Sequence, residues 1–380
     1  MKYRKFGELD WQVSSLGFGV MRLPHREKDT SLILEDEAAA IIHYAIDNGV
    51  NFLDTAWNYH DGESESFLGK TLKNGYREKV RIATKLPCWK IEKRDDFDRY
   101  FDEQMERLQI DFIDFYLLHA LQRDWWDKVK NLGYIDWAEK KLADGIIKHL
   151  GFSFHDKLPL FKRIIDEYDN WTMTLLMHNY MDVDFQAGAE GVKYATDNGL
   201  AVVVMEPLRG GLLAKEPPSS VKKIFDEAVV QRTPADWSLQ WLWDKGEIAS
   251  VISGMNTLQQ LQQNITSACN SGIGSMTEYE EEVLVEVREE YRKKASIPCT
   301  NCGYCMPCPE GVGIPWIFEY YNMSEMYEAP ETARAYYAFL DEENRASGCT
   351  ECGKCMEQCP QHIDIIDMLK KAHRLLASSQ

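Results

Sequence analysis

Apolar residues recur along this chain in two alternating rhythms. Short runs, mostly apolar and three to eight residues long, fall at 16–20, 52–54, 80–85, 112–119, 147–152, 173–178, 201–205 and 250–253. Runs this short with little polar alternation read as strands buried on both faces. Between them apolar positions return every three or four residues, at 34–48, 95–108, 136–142 and 188–198. Those stretches read as amphipathic helices, and Gly49, Gly145 and Gly199 stand where a helix stops. Residues 1–16 read as a hairpin with its turn near Gly7 to Asp10. Eight strand–helix units in ~270 residues fit an α/β protein built as a (β/α)8 TIM barrel, here with an N-terminal β-hairpin. A doubly wound sheet would want Gly-x-Gly-x-x-Gly after its first strand. Gly17-Phe18-Gly19 lacks the third glycine, and Met21-Arg22-Leu23-Pro24 cannot open a tight helix.

After residue 295 the pattern changes, because cysteine takes over. Eight of the ten cysteines form two runs: Cys299, Cys302, Cys305 and Cys308 before Pro309, and Cys349, Cys352, Cys355 and Cys359 before Pro360. Thiolates two residues apart point their sulfurs into one small volume. Zinc sites take two such pairs held apart by a longer spacer, which keeps zinc as the alternative reading. Consecutive x2 spacings closed by Cys-Pro are instead similar to bacterial two-cluster ferredoxins, in which the fourth cysteine of each run serves the other cluster. That resemblance implies two [4Fe–4S] clusters, one on Cys299, Cys302, Cys305 and Cys359, the other on Cys349, Cys352, Cys355 and Cys308. The first run closes with x2 where the pattern has x3, at Cys308. The stretch between the runs reads as helical. The expected organisation is a barrel over 1–295 and a mostly α, ferredoxin-like 4Fe-4S domain over 296–380.

Composition narrows the class of protein. With 44% hydrophobic residues the 380-residue chain is not disordered. A net charge of −18 argues against nucleic acid and anionic lipid as partners, since both need clustered Lys and Arg. No apolar run approaches the ~18 residues of a membrane helix. The opening MKYRKFGELD lacks the apolar core of a secretory signal, so the expected location is cytoplasmic.

In a (β/α)8 barrel the chemistry lies at the C-terminal ends of the strands. Three neighbouring strands deliver Asp54 with Tyr59 after it, Lys85, and His119 to that rim. The run LDTAWNYHDGESESFLG, with ATK and YLLH downstream, resembles the aldo-keto reductases over roughly residues 1–290. With the cysteine runs added, the chain is similar to the iron–sulfur branch of that family. The resemblance implies an NAD(P)H-dependent oxidoreductase that reduces an aldehyde or ketone to an alcohol. Tyr59 would be the general acid, Lys85 the cation beside it, Asp54 the charge partner of Lys85, and His119 a hydrogen-bond donor to the carbonyl oxygen. A neighbouring ammonium favours phenolate, so Lys85 is expected to lower the Tyr59 pKa from its ordinary ~10.

The resemblance also assigns the cofactor side: Gly19, Val20, Met21, Asp54, Ser153, Met205, Glu206, Leu208, Gly210, Met255, Gln260, Gln263 and Asn264. Where the family carries an Asn and a Gln for the nicotinamide carboxamide, this chain has Phe154 and Leu175. No Lys or Arg lies in 254–264 to meet a 2′-phosphate, which favours NAD over NADP unless Arg209 or a distant base substitutes. Hydride transfer does not need the clusters. They are read as structural, or as relaying electrons to or from a partner electron-transfer protein. The competing reading is a non-reductase electron-transfer or redox-sensing iron–sulfur protein on a barrel scaffold. Pro217-Pro218-Ser219-Ser220 reads as a surface loop able to cover the cofactor.

Overall fold

A computed structural model describes residues 1–26 and 29–378. β1 (Tyr3–Phe6) and β2 (Leu9–Ser14) pair antiparallel as the expected hairpin. The next eight strands close into a parallel barrel: β3 (Leu16–Gly19), β4 (Phe52–Asp54), β5 (Arg81–Leu86), β6 (Ile113–Leu121), β7 (Ile147–Phe154), β8 (Trp171–Met177), β9 (Ala201–Met205) and β10 (Ile248–Ser253). Each pairs with its neighbour in sequence, and β10 closes on β3. β6 shows why these runs are so apolar. All but Ala120 of its nine residues are buried, because side chains fill the barrel on one face and helices cover the other.

The hairpin seals one end of this barrel. Phe6 and Trp11 pack among Phe52 and Phe115 near the strands' N-terminal ends, with ring centroids 4.9–6.3 Å apart. Gly7 lies so close to β9 that a Cβ there would sit 2.8 Å from the Ala201 nitrogen and the Gly199 oxygen. With that end filled, the C-terminal ends of the strands are the open face.

Helix Asp95–Leu108 has the bounds read from its pattern. Tyr134–Ala143 starts two residues before the expected helix, and Arg123–Asn131 precedes it without having been expected. Among its described side chains that short segment buries only Trp126 and Val129 fully, too few apolar positions to establish a helical period. Ser219 and Ser220 open helix Ser219–Glu227 after Pro218 rather than forming a loop, which corrects the covering-loop reading.

Packing divides the chain into two units. One is the barrel, Met1–Gly211 with Ala235–Thr277. The other is Leu212–Pro234 with the chain from Glu278 onward. Helices Ser219–Glu227 and Glu278–Lys293 therefore pack with the cysteine-bearing module. That unit also holds helices Ile314–Met326, Pro330–Ala338 and Ile365–Leu376, so the stretch between the cysteine runs is helical as expected. Its core of Val312, Ile314, Ile317, Phe318, Ile365 and Leu369 is flanked by six of the eight clustered cysteines. Among the described residues no helix is long and apolar enough to cross a membrane.

Candidate active site

β4, β5 and β6 are neighbours in the barrel, so residues at or near their C-terminal ends meet. Lys85 on β5 is fully buried. Its Nζ lies 2.7 Å from Asp54 Oδ1, 2.8 Å from Oδ2, 2.7 Å from the Thr55 carbonyl and 3.2 Å from the Tyr59 hydroxyl. Burial alone would discharge an amine, yet the Asp54 carboxylate and the Tyr59 oxygen outweigh it, so the Lys85 pKa rises and the ammonium persists. The His119 ring meets the Tyr59 ring edge-on at 5.9 Å. Burial, then the charge of Lys85 and the proximity of His155, holds the His119 pKa well below the ordinary imidazole value. His119 is thus a neutral ring.

The Tyr59 phenol departs from expectation. Burial pushes its pKa above 10; Lys85 pulls it down, while the Asp54 and Glu206 carboxylates push it up again. The net direction is upward, so the expected lowering is corrected. Glu206 follows β9, and nothing in the local motif around Tyr59 announces it. Chemically, the phenol keeps its proton at neutral pH and has an ammonium in place to receive the phenolate left by donating it.

A buried polar layer supports Lys85. Thr84 Oγ1 donates to Glu65 Oε1 at 2.5 Å, and Gln104 Nε2 donates to the same oxygen at 2.7 Å. Gln104 Nε2 also reaches the Lys85 carbonyl at 3.1 Å, while the Tyr116 hydroxyl donates to Gln104 Oε1 at 2.8 Å. Gln104 was not singled out in the sequence because its signal is a lone amide in an amphipathic helix. Glu65 belongs to the SE-x-x-LG run. The glycine of that run, Gly69, lets two helices touch: a Cβ there would lie 2.5 Å from the Leu108 oxygen. Outward from the phenol, Trp89 packs 5.1 Å from His119 and 5.8 Å from Trp125.

Most residues assigned to the cofactor lie at the ends of β9, β10, β3 and β4, which are consecutive around the barrel. Gly19 ends β3, and Val20 and Met21 follow it, with Met21 57% exposed at the open face. Asp54 ends β4, Met205 ends β9, and Glu206, Leu208 and Gly210 follow. Met255 is buried just beyond β10. Helix Leu258–Cys269 carries Gln260, Gln263 and Asn264. Gln260 Oε1 accepts from the Asn256 amide at 3.0 Å, Asn264 Nδ2 donates to Ser253 Oγ at 3.2 Å, and Gln263 is exposed. Ser153, across the barrel, accepts the Ala120 N–H at 2.6 Å. Phe154 packs on Phe161 at 5.0 Å, and Leu175 belongs to the barrel core.

In the second unit the cysteines surround two cavities. Cys299, Cys302, Cys305 and Cys359 line one; Cys308, Cys349, Cys352 and Cys355 line the other, and Ile314 borders both. Four thiols per cavity is the donor chemistry of an iron–sulfur cluster. Among the described residues no three His, Cys, Asp or Glu converge tightly enough for a single metal ion.

Comparison with known proteins agrees with this arrangement. Residues 15–271 match the model of the aldo/keto reductase family, and residues 298–363 match a 4Fe-4S dicluster domain. L-galactose dehydrogenase of Arabidopsis thaliana is 27% identical over 311 residues, covering 75% of this chain and 95% of the relative. A probable aldo-keto reductase 1 of Glycine max is 28% identical over 295 residues, or 69% of this chain and 82% of the relative. The holo form of aldo-keto reductase AKR11C1 from Bacillus halodurans superposes with a TM-score of 0.62 at 26% identity, over 76% of this chain and 96% of that one. The chain belongs to the aldo/keto reductase family of oxidoreductases and carries a 4Fe-4S dicluster domain after the barrel.

Proposed function

We propose that the protein reduces a small aldehyde or ketone to an alcohol, with Tyr59 as general acid and NADH as reductant. The observation that carries this reading is the buried Lys85 Nζ, held by Asp54 and 3.2 Å from the Tyr59 hydroxyl. The nicotinamide supplies a hydride to the carbonyl carbon. Tyr59 gives its proton to the carbonyl oxygen, and Lys85 stabilises the phenolate that remains. Asp54 keeps Lys85 charged and aimed. His119, neutral, lies beside the phenol and donates a hydrogen bond to the developing oxyanion. The residues at the ends of β9, β10, β3 and β4 hold the dinucleotide.

Two [4Fe–4S] clusters complete this reading, one for each cavity. Their role is structural: cysteines flank the core of the second unit, so iron ties that core together. A second reading, electron transfer or redox sensing without carbonyl reduction, is favoured by one observation. Phe154 and Leu175 offer the carboxamide no polar group and are committed to packing.

Tyr59→Phe tests the first reading on anaerobically purified protein. Turnover of an aldehyde panel with NADH is expected to fall by ~10²–10⁴-fold. NADH affinity, followed by fluorescence quenching, stays within about twofold, because the hydroxyl acts only in the transition state. Near-normal turnover in the variant refutes the assignment; failure of the wild type to bind NADH favours the second reading.

A further inference from the structure

Two consecutive side-chain-bearing residues directly after Tyr59 adopt left-handed backbone. His60 has φ 53° and ψ 45°, and Asp61 has φ 53° and ψ 28°. L-residues pay for this conformation sterically, so the turn needs outside support. The His60 ring supplies it. It is 5% exposed, and its Nε2 lies 3.1 Å from the Leu23 N–H, which donates to it. A ring nitrogen that accepts carries no proton, so the neutral ring has its hydrogen on Nδ1. That atom is 2.6 Å from the Thr30 carbonyl, which can only accept. The hydrogen-bond pattern thus assigns one neutral tautomer. Asp61 adds a second tie, its carboxylate accepting from Thr30 Oγ1 at 2.7 Å. Leu23 and Thr30 belong to the stretch that begins with Val20 and Met21, on the proposed cofactor side.

We propose that His60 is a positioning residue whose neutral imidazole clamps the Tyr59 turn to the stretch holding Leu23 and Thr30, aiming the phenol and the cofactor side of the pocket together. The inference rests on the reductase reading of Tyr59. A second proton breaks the clamp, because an imidazolium would present an N–H to the Leu23 N–H. The nearby Val20 carbonyl would take that hydrogen instead. The titratable groups facing the ring are His25, edge-on at 6.0 Å, and Asp61 on the same turn. Burial dominates both and lowers the His60 pKa from 6.5. The clamp is closed at neutral pH and opens in acid.

The test uses the full-length, iron-loaded protein and two variants. His60→Gln retains one donor and one acceptor but cannot titrate; His60→Phe keeps the ring's bulk and loses both bonds. Hydrogen exchange of the peptide containing the Leu23 amide is followed in steps from about pH 7.5 down to about 4.5, corrected for intrinsic rates. Wild type is expected to lose protection roughly fivefold or more by the acid end of this range, below the ordinary imidazole value, His60→Gln to show no such loss, and His60→Phe to be unprotected throughout. At pH 7.5, kcat with NADH and an aldehyde falls about tenfold in His60→Phe and is restored to within about threefold in His60→Gln. Wild-type protection of Leu23 in His60→Phe, or equal acid loss in His60→Gln, overturns the clamp. Wild-type kcat in His60→Phe overturns the positioning role whatever the exchange shows. No turnover in any of the three proteins sinks the reductase reading, and Leu23 exchange still decides the clamp.

Discussion

In the barrel, Asp54 and Lys85 meet because backbone ladders put them there: Asp54 is in register with Ala83, and Lys85 with Leu117. The Lys85 ammonium then donates to the Asp54 carboxylate and the Thr55 carbonyl, both within 2.8 Å. The cysteines of the second unit have no such frame. Seven of the eight lie on irregular chain, and only Cys355 falls in a short helical turn, Lys354–Glu357. Their grouping into two cavities depends on loops flanking a core of a few helices. A corner fixed by strand register survives loss of its ligand. A corner made of loops relies on what bridges the sulfurs.

Removing the iron would strain this contrast most. Anaerobic chelation of the full-length protein is expected to abolish most exchange protection in helices Ile314–Met326 and Ile365–Leu376. NADH quenching and protection of β5 and β6 should persist. Hydrogen exchange measured before and after iron removal checks both halves at once. Full protection of the two helices without iron would mean that packing alone orders the cysteine loops, and the contrast would be wrong.

What the sequence disclosed follows the same division. The barrel strands were legible because burial on both faces leaves uninterrupted apolar runs. β8 begins at Trp171 rather than 173 because Thr172 interrupts its run. The meeting of Asp54, Tyr59, Lys85 and His119 was legible because each sits near or just after the C-terminal end of a strand within a dense motif. The direction of the Tyr59 shift was not legible, since it is set by burial, which outweighs Lys85, with smaller upward pushes from Asp54 and from Glu206, more than 140 residues away in the chain. The His60 clamp was hidden for a related reason. Left-handed backbone at a non-glycine residue and an acceptor nitrogen aimed at Leu23 leave no pattern in residue types. For the second unit, spacing identified the cysteines but left Cys308 awkward at x2. The structure lines it up with Cys349, Cys352 and Cys355 around one cavity.

Acid offers a smaller effect that acts on the barrel. Burial and the nearby Lys245 charge lower the His178 pKa to about 4; burial also takes His155 to about 4, against a Gln186 hydrogen bond that opposes the shift. In the unfolded chain each gains a proton near pH 6.5, whereas in the folded barrel each stays neutral until about pH 4. The unfolded state therefore binds more protons across that window, and barrel stability falls as pH drops through it. His178, 1% exposed, should cost about 2 kcal/mol by pH 5 relative to pH 7. His155 is partly exposed and should cost less. Urea unfolding can be followed by tryptophan emission, since ten of the eleven tryptophans lie in the barrel unit. His178→Leu should flatten the pH dependence between 6.5 and 5. An unchanged slope would remove His178 from the account.

The smallest expected effect concerns the rim itself, where a fixed frame should also mean fixed cofactor choice. A 2′-phosphate dianion wants Arg or Lys. Between Gly254 and Asn264 there is neither, and Asn256 and Gln260 hydrogen-bond each other instead. Arg209, one candidate substitute, is 3.0 Å from Asp182 and committed to it. Arg22 is the nearer base, since a Cβ on Gly254 would lie 3.2–3.3 Å from its side chain. But Arg22 also neighbours the Glu206 carboxylate, which would repel a phosphate. NADH is therefore expected to bind about tenfold tighter than NADPH, or ~1.4 kcal/mol. Arg22→Ala should change NADPH affinity by less than about threefold. Quenching titrations of both cofactors against wild type and Arg22→Ala decide the matter. Tighter NADPH binding that is lost in Arg22→Ala would make Arg22 the phosphate ligand, and this rim would then be adaptable rather than fixed by its strands.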